Sequence, residues 1–307
     1  MTGANGLVGA RVCAAVVERG GTVRAVVRRA GTAPALDGLS EHVGDFADPA
    51  FARSVVEGTD AVVSTVHSMG SDRGTQQRVA VEGTPMLARA ARDAGVALFV
   101  HVSTCAVYDR SPGTGDVYET SALVGDDAGD YAVTKRDTDA ALADVPGITR
   151  VLVRPPAILG AGETSVWNTL RPAELHDDEP QRRANPAGTF AWVHVDDLAA
   201  LVADLATGQV AEAGTVSTGP VADRCTAVDV AGEPATARDY VGTVCQALGV
   251  APVWDDNLPA WTGQIRTDRA RAWGWNPAVP LSQALDELND GLGGTARQAP
   301  DPRPSVR

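Results

Sequence analysis

The sequence predicts an α/β protein: a doubly wound parallel sheet with helices on both faces, followed by a smaller mixed part toward the C-terminus. Three observations carry this. Short apolar runs alternate with longer helical patterns through the first half of the chain, which is the order of parallel strands joined by crossover helices. The runs are rich in Val and Ala and nearly continuous, as strands covered on both faces must be. A glycine-spaced stretch at the start leads straight into a helical pattern. The 307 residues, 44% hydrophobic and 21% charged, suit one large domain or a large one with a smaller partner.

Taken in order, the glycine stretch feeds a helix over Leu7–Arg19. Strand patterns follow at Thr22–Val27, Glu41–Gly44, Ala61–Thr65, Ala97–Ser103 and Thr149–Val153. Helical patterns over Pro49–Glu57, Thr75–Ala94 and Asp130–Ala143 lie between them. After Gly160 the rhythm breaks, and residues 161–189, with their Gly, Pro, Asn and charge, read as a loop-rich excursion. Helical pattern returns over His194–Leu205 and a strand follows at Thr226–Val230. Thr236 with Asp239 three residues on marks a helix start close to a capping box. The expected division is a sheet domain over 1–160, rejoined by about 190–220, and a second part from 161–189 and 221–291. Residues 292–307 read as a disordered tail.

The net charge of −13 argues against nucleic acid and anionic membranes as partners. No apolar run is long enough to span a bilayer. Cysteines at 13, 105, 225 and 245 have no metal-like spacing and read as free thiols, with a cytoplasmic location expected. The partner expected is a small-molecule substrate.

The opening string Met1-Thr2-Gly3-Ala4-Asn5-Gly6-Leu7-Val8-Gly9 has the form of a phosphate loop. Gly3, Gly6 and Gly9 permit a tight turn, close approach to a pyrophosphate and close packing of the helix, whose N-terminus favours negative charge. That makes the sheet Rossmann-type and the expected ligand a dinucleotide. Such a loop should follow a buried central strand, and here only Met1 and Thr2 precede it. The first strand is therefore expected to be truncated, leaving a trough between its neighbours. The reading favoured is a start codon upstream of Met1 that supplies the strand; upstream codons lacking an apolar strand would oppose it. The rival is a true truncation that impairs folding or cofactor binding.

Arg28 and Arg29 end the strand whose tip meets the adenosine ribose. Arginine accommodates the 2′-phosphate of NADP where an acid would bond the hydroxyl of NAD, so NADP is expected, with NAD as the other choice. Asp45 is a candidate acceptor for the adenine amino group with Phe46 beside the ring; the plain alternative for Asp45 is a turn residue.

Tyr131 and Lys135 stand four apart on a predicted helix and share a face. A phenol is a weak base at its ordinary pKa near 10. A nearby ammonium and a cationic nicotinamide favour its phenolate, so Tyr131 is a candidate for moving a proton at a substrate hydroxyl. On spacing alone, a surface Tyr–Lys pair explains the same residues. The strand end Val102-Ser103-Thr104-Cys105-Ala106-Val107-Tyr108 carries hydroxyls to the edge where ligands bind in such sheets.

These strings, with Arg154-Pro155-Pro156-Ala157-Ile158-Leu159-Gly160, the WVHVDDLA run at 192–199, the 229–250 stretch and Trp273–Pro277, together resemble the extended short-chain dehydrogenase/reductases, the NAD-dependent epimerase/dehydratase family. The resemblance spans nearly the whole chain. It implies that Tyr131 is the general acid/base, that Lys135 binds the nicotinamide ribose and lowers the tyrosine pKa, and that Thr104 positions the substrate. It also implies a phosphate loop at Gly3, Asn5, Gly6 and Gly9, Pro155 and Pro156 beside the nicotinamide, structural roles for His194 and Asp196, and homodimerisation through the helices near 75–94 and 130–143.

The departures are as informative. Cys105 and Ala106 stand where dehydratases carry an Asp–Glu pair, Ala80 replaces a helpful asparagine, and Phe190 replaces the arginine with which epimerases grip a diphosphate. Arg154, Arg171 and Arg182 are candidate substitutes. Trp167, Asn168, Trp192 and Trp261 are candidate pocket residues, with core packing as the alternative for the tryptophans. The expected function is hydride transfer between NAD(P) and a carbonyl or alcohol. The alternatives are a nucleotide-sugar 4-epimerase and a non-catalytic NADP-binding sensor.

Overall fold

A computed structural model describes residues 1–296, with side chains to 293. The first half alternates as the apolar pattern requires: α1 (Leu7–Glu18), β1 (Val23–Val27), β2 (Leu39–Val43), α2 (Pro49–Val56), β3 (Ala61–Ser64), α3 (Arg73–Gln76), α4 (Thr84–Asp93), β4 (Leu98–Val102), α5 (Asp130–Ala143) and β5 (Thr149–Arg154). The second half adds β6 (Ala157–Leu159), α6 (Arg171–Asp177), β7 (Arg183–Ala184), β8 (Trp192–His194), α7 (Val195–Ala206), β9 (Cys225–Asp229), α8 (Ala237–Leu248), β10 (Val253–Trp254), α9 (Asp268–Ala272) and α10 (Leu281–Ala296).

All pairs in the main sheet are parallel. β2 pairs with β1 on one side, and β3, β4, β5 and β9 pair in that order on the other. Between β1 and β3 a single residue, Thr2, bridges to Val26 and to Ser64. The two-residue stub keeps the centre of the sheet in register: Thr2 N–H donates to Val63 O (2.9 Å), Val26 N–H to Met1 O (2.8 Å) and Thr65 N–H to Thr2 O (3.3 Å). The trough expected beside it is present as a cavity of about 820 Å³.

Apolar side chains cover both faces of the sheet. One cluster joins Val12, Cys13 and Val16 of α1 to Leu198, Leu201 and Val202 of α7 and to Trp273 and Trp275. The other joins Val55 and Val56 of α2 to Leu87 and Ala88 of α4. A third core in the smaller part packs α8 and α10 against Leu159, Phe190 and Trp192.

Four expectations shift. β2 begins two residues early and is half exposed, because it is the sheet edge. The helix expected over Thr75–Ala94 runs continuously but carries a π-helical stretch at Gln77–Gly83 between α3 and α4, where Gly83 lies against Phe46 and Ala47 so closely that a side chain would need its neighbours to move. Cys225–Asp229 belongs to the main sheet, beside β5, rather than to the second part. Residues 292–296, expected in the tail, instead belong to α10, which runs to Ala296 with Leu292 buried against the third core; 297–307 lie outside the described residues. The capping box at Thr236 and Asp239 forms as the sequence suggests.

Candidate active site

The carboxyl edge of the sheet gathers the sequence candidates. Gly3 has a φ of +76°, open to glycine without strain, and its Cα lies against Thr65. Gly6 N–H closes the turn on Gly3 O (3.0 Å). At Gly9 any Cβ would overlap the Gly3 carbonyl, so glycine alone lets α1 pack this tightly. The loop and the amino end of α1 make a cradle of the kind a pyrophosphate fills, and the residues fit a nicotinamide dinucleotide there. Asn5 is exposed in the loop. The Thr164 hydroxyl accepts Leu7 N–H (3.0 Å) at the helix end, a contact the sequence did not suggest.

Arg28 and Arg29 are exposed just past β1. Glu41 on β2 accepts the amides of Gly31, Thr32 and Ala33 (2.8, 3.1 and 2.9 Å) and so shapes the loop after the arginines. These amides hold its carboxyl below the usual range. Asp45 accepts Ala47 N–H (2.9 Å), the turn role weighed above. Phe46, expected beside the adenine, packs into the core with Val26 and Leu87 and is 8% exposed; its ring is committed to burial.

Thr104 and Tyr131 come together. β4 delivers Thr104, whose hydroxyl accepts Ala106 N–H (3.1 Å) and caps the turn at Cys105–Val107. That turn is tied to the end of β5 through Cys105 N–H to Pro155 O (2.8 Å), which also fixes Pro155. Tyr131 stands on the first turn of α5. Burial pushes its phenol pKa up, and the neighbouring Thr104 hydroxyl pulls it back.

Lys135 stands on the same helix as Tyr131. It lies one turn along α5, is 3% exposed, and donates from Nζ to Val102 O (2.8 Å). Burial lowers its pKa to about 8, against the pull of Asp139. The phenol's acidity is set by burial, Thr104, Cys105 and Asp139.

Sequence reasoning missed His67. It lies past the end of β3, edge-on to Tyr131 with ring centroids 4.9 Å apart, and its Nε2 is 3.1 Å from Thr134 Oγ1. Burial lowers its pKa to about 3, with Lys135 adding to the effect, so the ring is neutral. The segment Thr65–His67 thus touches the glycine loop at one end and Tyr131 at the other. The only available signal was a histidine at the carboxyl end of a strand.

Also missed was a buried chain of charges beneath the site. Arg154 donates from Nε to Asp139 (3.0 Å) and from Nη1 to Tyr108 Oη (2.6 Å), and that hydroxyl donates to Asp229 (2.8 Å). Arg154 is thereby unavailable as a substrate clamp. Arg171 is held by Glu174 and Gln181, and Arg182 lies 3.6 Å from Glu179. Phe190, at the clamp position, stacks on Tyr240 (4.3 Å) with Trp167 edge-on to both (5.4 Å). Asn168 accepts Gly160 N–H (3.0 Å). Trp192 and Trp261 are core residues, each with its indole N–H on a carbonyl, of Glu233 and Gly115. His194 caps α7 and meets Glu287 (3.0 Å), the structural role expected. Among the described residues no cluster of metal-binding side chains occurs, and no helix is long and apolar enough to cross a membrane.

Comparison with known proteins agrees with this architecture. The chain is 31% identical over 211 residues to sterol demethylase protein B of Methylococcus capsulatus, covering 66% of this chain and 63% of that protein. It is 32% identical over 172 residues to a 4-hydroxy-2-methyl-3-oxo-4-farnesyl-3,4-dihydroquinoline-1-oxide ketoreductase of Stigmatella aurantiaca, covering 54% and 51%. The match thus spans less than two thirds of the length of either relative. In structure it resembles the Bordetella bronchiseptica enzyme WbmH in complex with NAD+ (TM-score 0.73, 20% identity, 92% and 94% of the two chains). It also resembles the UDP-glucose 4-epimerase of Thermotoga maritima (TM-score 0.73, 14% identity, 96% and 98%). At these identities the likeness is one of fold. Residues 3–209 match the model of the NAD(P)H-binding family, and the chain belongs to that family, with the fold of the extended short-chain dehydrogenase/reductases.

Proposed function

We propose that the protein is an NAD(P)-dependent oxidoreductase that interconverts a carbonyl and an alcohol on a largely apolar substrate, with Tyr131 as its acid/base. The observation that carries this is the meeting of Tyr131 and Thr104 on the edge that also bears the glycine loop. A bound nicotinamide dinucleotide would be held by Gly3, Asn5, Gly6 and Gly9, with Arg28, Arg29 and Asp45 toward its adenosine end, and would supply or accept hydride. Pro155, whose carbonyl is tied to Cys105 N–H, would lie beside the nicotinamide.

In the reductive direction Tyr131 Oη–H donates its proton to the substrate oxygen as that oxygen gains negative charge. The Thr104 hydroxyl fixes the same oxygen and stabilises the phenolate left behind. Its influence on the phenol is already present. His67, neutral and edge-on, holds the Tyr131 ring in place. Lys135, released from Val102 O, would reach the nicotinamide ribose; its depressed pKa of about 8 leaves it able to exchange a proton near neutrality.

An apolar substrate is favoured because Phe190, which stands where the family's epimerases carry a diphosphate-gripping arginine, is stacked on Tyr240 with Trp167 edge-on and offers no charge. Relatives named for sterols, ceramide and 2-alkyl-3-oxoalkanoates have the same tendency. The exposed Arg28 and Arg29 favour NADP over NAD.

The test is fluorescence titration with NADPH and NADH, followed by turnover of a panel of hydrophobic β-hydroxy ketones and sterols beside UDP-glucose. Tighter NADPH binding and turnover of an apolar member are expected. Tyr131→Phe should lower kcat at least about 100-fold, the lower end of the usual acid/base contribution, with little change in NADPH affinity. Epimerisation of UDP-glucose without turnover of any apolar ketone would overturn the substrate assignment. NADPH binding with no turnover of anything in the panel would favour a sensor.

A further inference from the structure

A second cavity, of about 400 Å³ and open to solvent, lies between the loop after β4 and the segment 183–189. Thr189 lines it and is followed in the chain by Phe190, so the cavity adjoins the position where the family's epimerases carry their arginine. Its polar side chains are Arg110, Arg183, Asn185 and Thr189. Three of them are engaged within the fold. Arg183 donates from Nε and Nη2 to Asp255 (3.1 and 2.6 Å). Asn185 donates to Asp256 O and Leu258 O (3.2 and 2.8 Å), and the Thr189 hydroxyl donates to Gly263 O (2.8 Å). Arg110 is different. It is half-buried, with its guanidinium over the Trp261 ring, 5.7 Å from the centroid. Among the described residues its side chain has no hydrogen bond and no carboxylate partner. Asp109, next to it in the chain, turns its carboxylate to the amide and hydroxyl of Ser111 (2.9 and 2.5 Å). The Trp261 platform is fixed, because its indole N–H is held by Gly115 O (2.7 Å). With 39 acidic side chains against 26 basic ones in the chain, partners are plentiful, and this guanidinium is held away from them on an aromatic face.

We propose that Arg110, held on Trp261, binds a single carboxylate at the far end of the substrate, so that the molecule taken is an apolar keto or hydroxy acid. The inference rests on the oxidoreductase reading above for the reacting end of that molecule. A guanidinium stacked by its face keeps its N–H edge free, and that edge matches the two oxygens of a carboxylate. The charge balance sets the ligand. Arg183 is already neutralised by Asp255, so the cavity offers one uncompensated positive charge, which a carboxylate balances and a diphosphate exceeds. Arg154, Arg171 and Arg182 have acidic partners of their own. Position links the cavity to the reaction. Arg110 follows Thr104 by six residues, and the turn at Cys105–Val107 shortens the path, so the two stand within about 20 Å of each other. The charge also reaches the turn that Thr104 caps: burial raises the Cys105 thiol pKa, and Arg110 is among the groups that pull it down. Leu258 and the Trp261 ring add apolar surface to the cavity wall. The substrate then lies with its carbonyl at Thr104 and Tyr131, its carboxylate at Arg110 and its apolar body between.

The test measures binding by titration calorimetry, without cofactor or turnover. Straight-chain carboxylates from hexanoate to dodecanoate are compared with their methyl esters, on the full chain and on Arg110→Met and Arg110→Lys. At least one acid should bind the unaltered protein at least about tenfold more tightly than its ester, the least expected of hydrogen bonds to a charged group. Arg110→Met should erase that difference and leave ester affinity unchanged. Arg110→Lys, which keeps the charge without the fork, should keep part of it. No measurable binding of any acid, equal affinity for acid and ester, or an acid preference that survives in Arg110→Met would each overturn the proposal. The acid–ester comparison in the unaltered protein decides even if the variant fails to fold. Turnover of the matching keto acids with NADPH is measured apart, so the two readings fail separately. Arg110-dependent acid binding without turnover would sink the oxidoreductase reading and leave the carboxylate site standing. Turnover of apolar ketones with no acid preference would remove the site alone.

Discussion

Tyr131 shows how one side chain's chemistry depends on its immediate neighbours. The residue is identifiable from its spacing to Lys135, yet its acidity is set by burial, which raises the pKa, and by Thr104, which opposes the rise. Removing the hydroxyl while keeping the shape should therefore move the titration further up. Thr104→Val is expected to shift the pH–rate midpoint for alcohol oxidation, which needs the phenolate, to higher pH. At a fixed pH below that midpoint the rate should fall while NADPH affinity holds. An unshifted midpoint in the pH profile of kcat would remove Thr104 from the proton chemistry.

Among the elements, the glycine loop and α1 are the most constrained. The loop's three glycines were legible because tight turning, a positive φ and close helix approach each exclude side chains. Gly9→Ala places a methyl against the Gly3 backbone, and α1 must shift to accept it. NADPH binding should weaken at least about tenfold, about 1.4 kcal/mol, with a lower Tm. Unchanged affinity in the same titration would mean that the loop does not cradle the phosphates. The π-helical stretch before α4 and the early start of β2 were not legible. The first follows from the approach of Gly83 to Phe46 and Ala47, the second from an edge position that relaxes the apolar pattern. Both depend on neighbours distant in sequence.

Across the molecule, the buried chain from Asp139 through Arg154 and Tyr108 to Asp229 ties α5 to β5, the turn after β4, and β9. Burial pushes the Asp139 carboxyl up, and Arg154, Ser103 and Lys135 pull against it; burial also raises Asp229, to about 7. A buried pair contributes little net stability against a well-packed apolar replacement, but losing one partner costs about 3–5 kcal/mol. Asp139→Ala should accordingly lower the urea midpoint sharply. The pair Asp139→Leu with Arg154→Met should recover most of the loss. If the single and double variants unfold at the same urea concentration, the cost comes from packing rather than from an unpaired guanidinium.

By itself the sequence determined the strand–helix alternation, the nucleotide-binding edge and the residue types of the candidate site. Each of these is written in local spacing: period-two or continuous apolar runs for strands, glycines at turns, and four-residue separation on a helix. Only the tertiary structure decided that Phe46 belongs to the core, that Lys135 bonds a strand carbonyl, and that Arg154 is consumed by Asp139 and Tyr108. It also placed His67 against Tyr131 and gave the trough beside Thr2 its two strand edges. The partners in these contacts come from separate elements, and a single chain read in order carries no signal for which of its charged and aromatic groups the fold will bring within a few ångströms of one another.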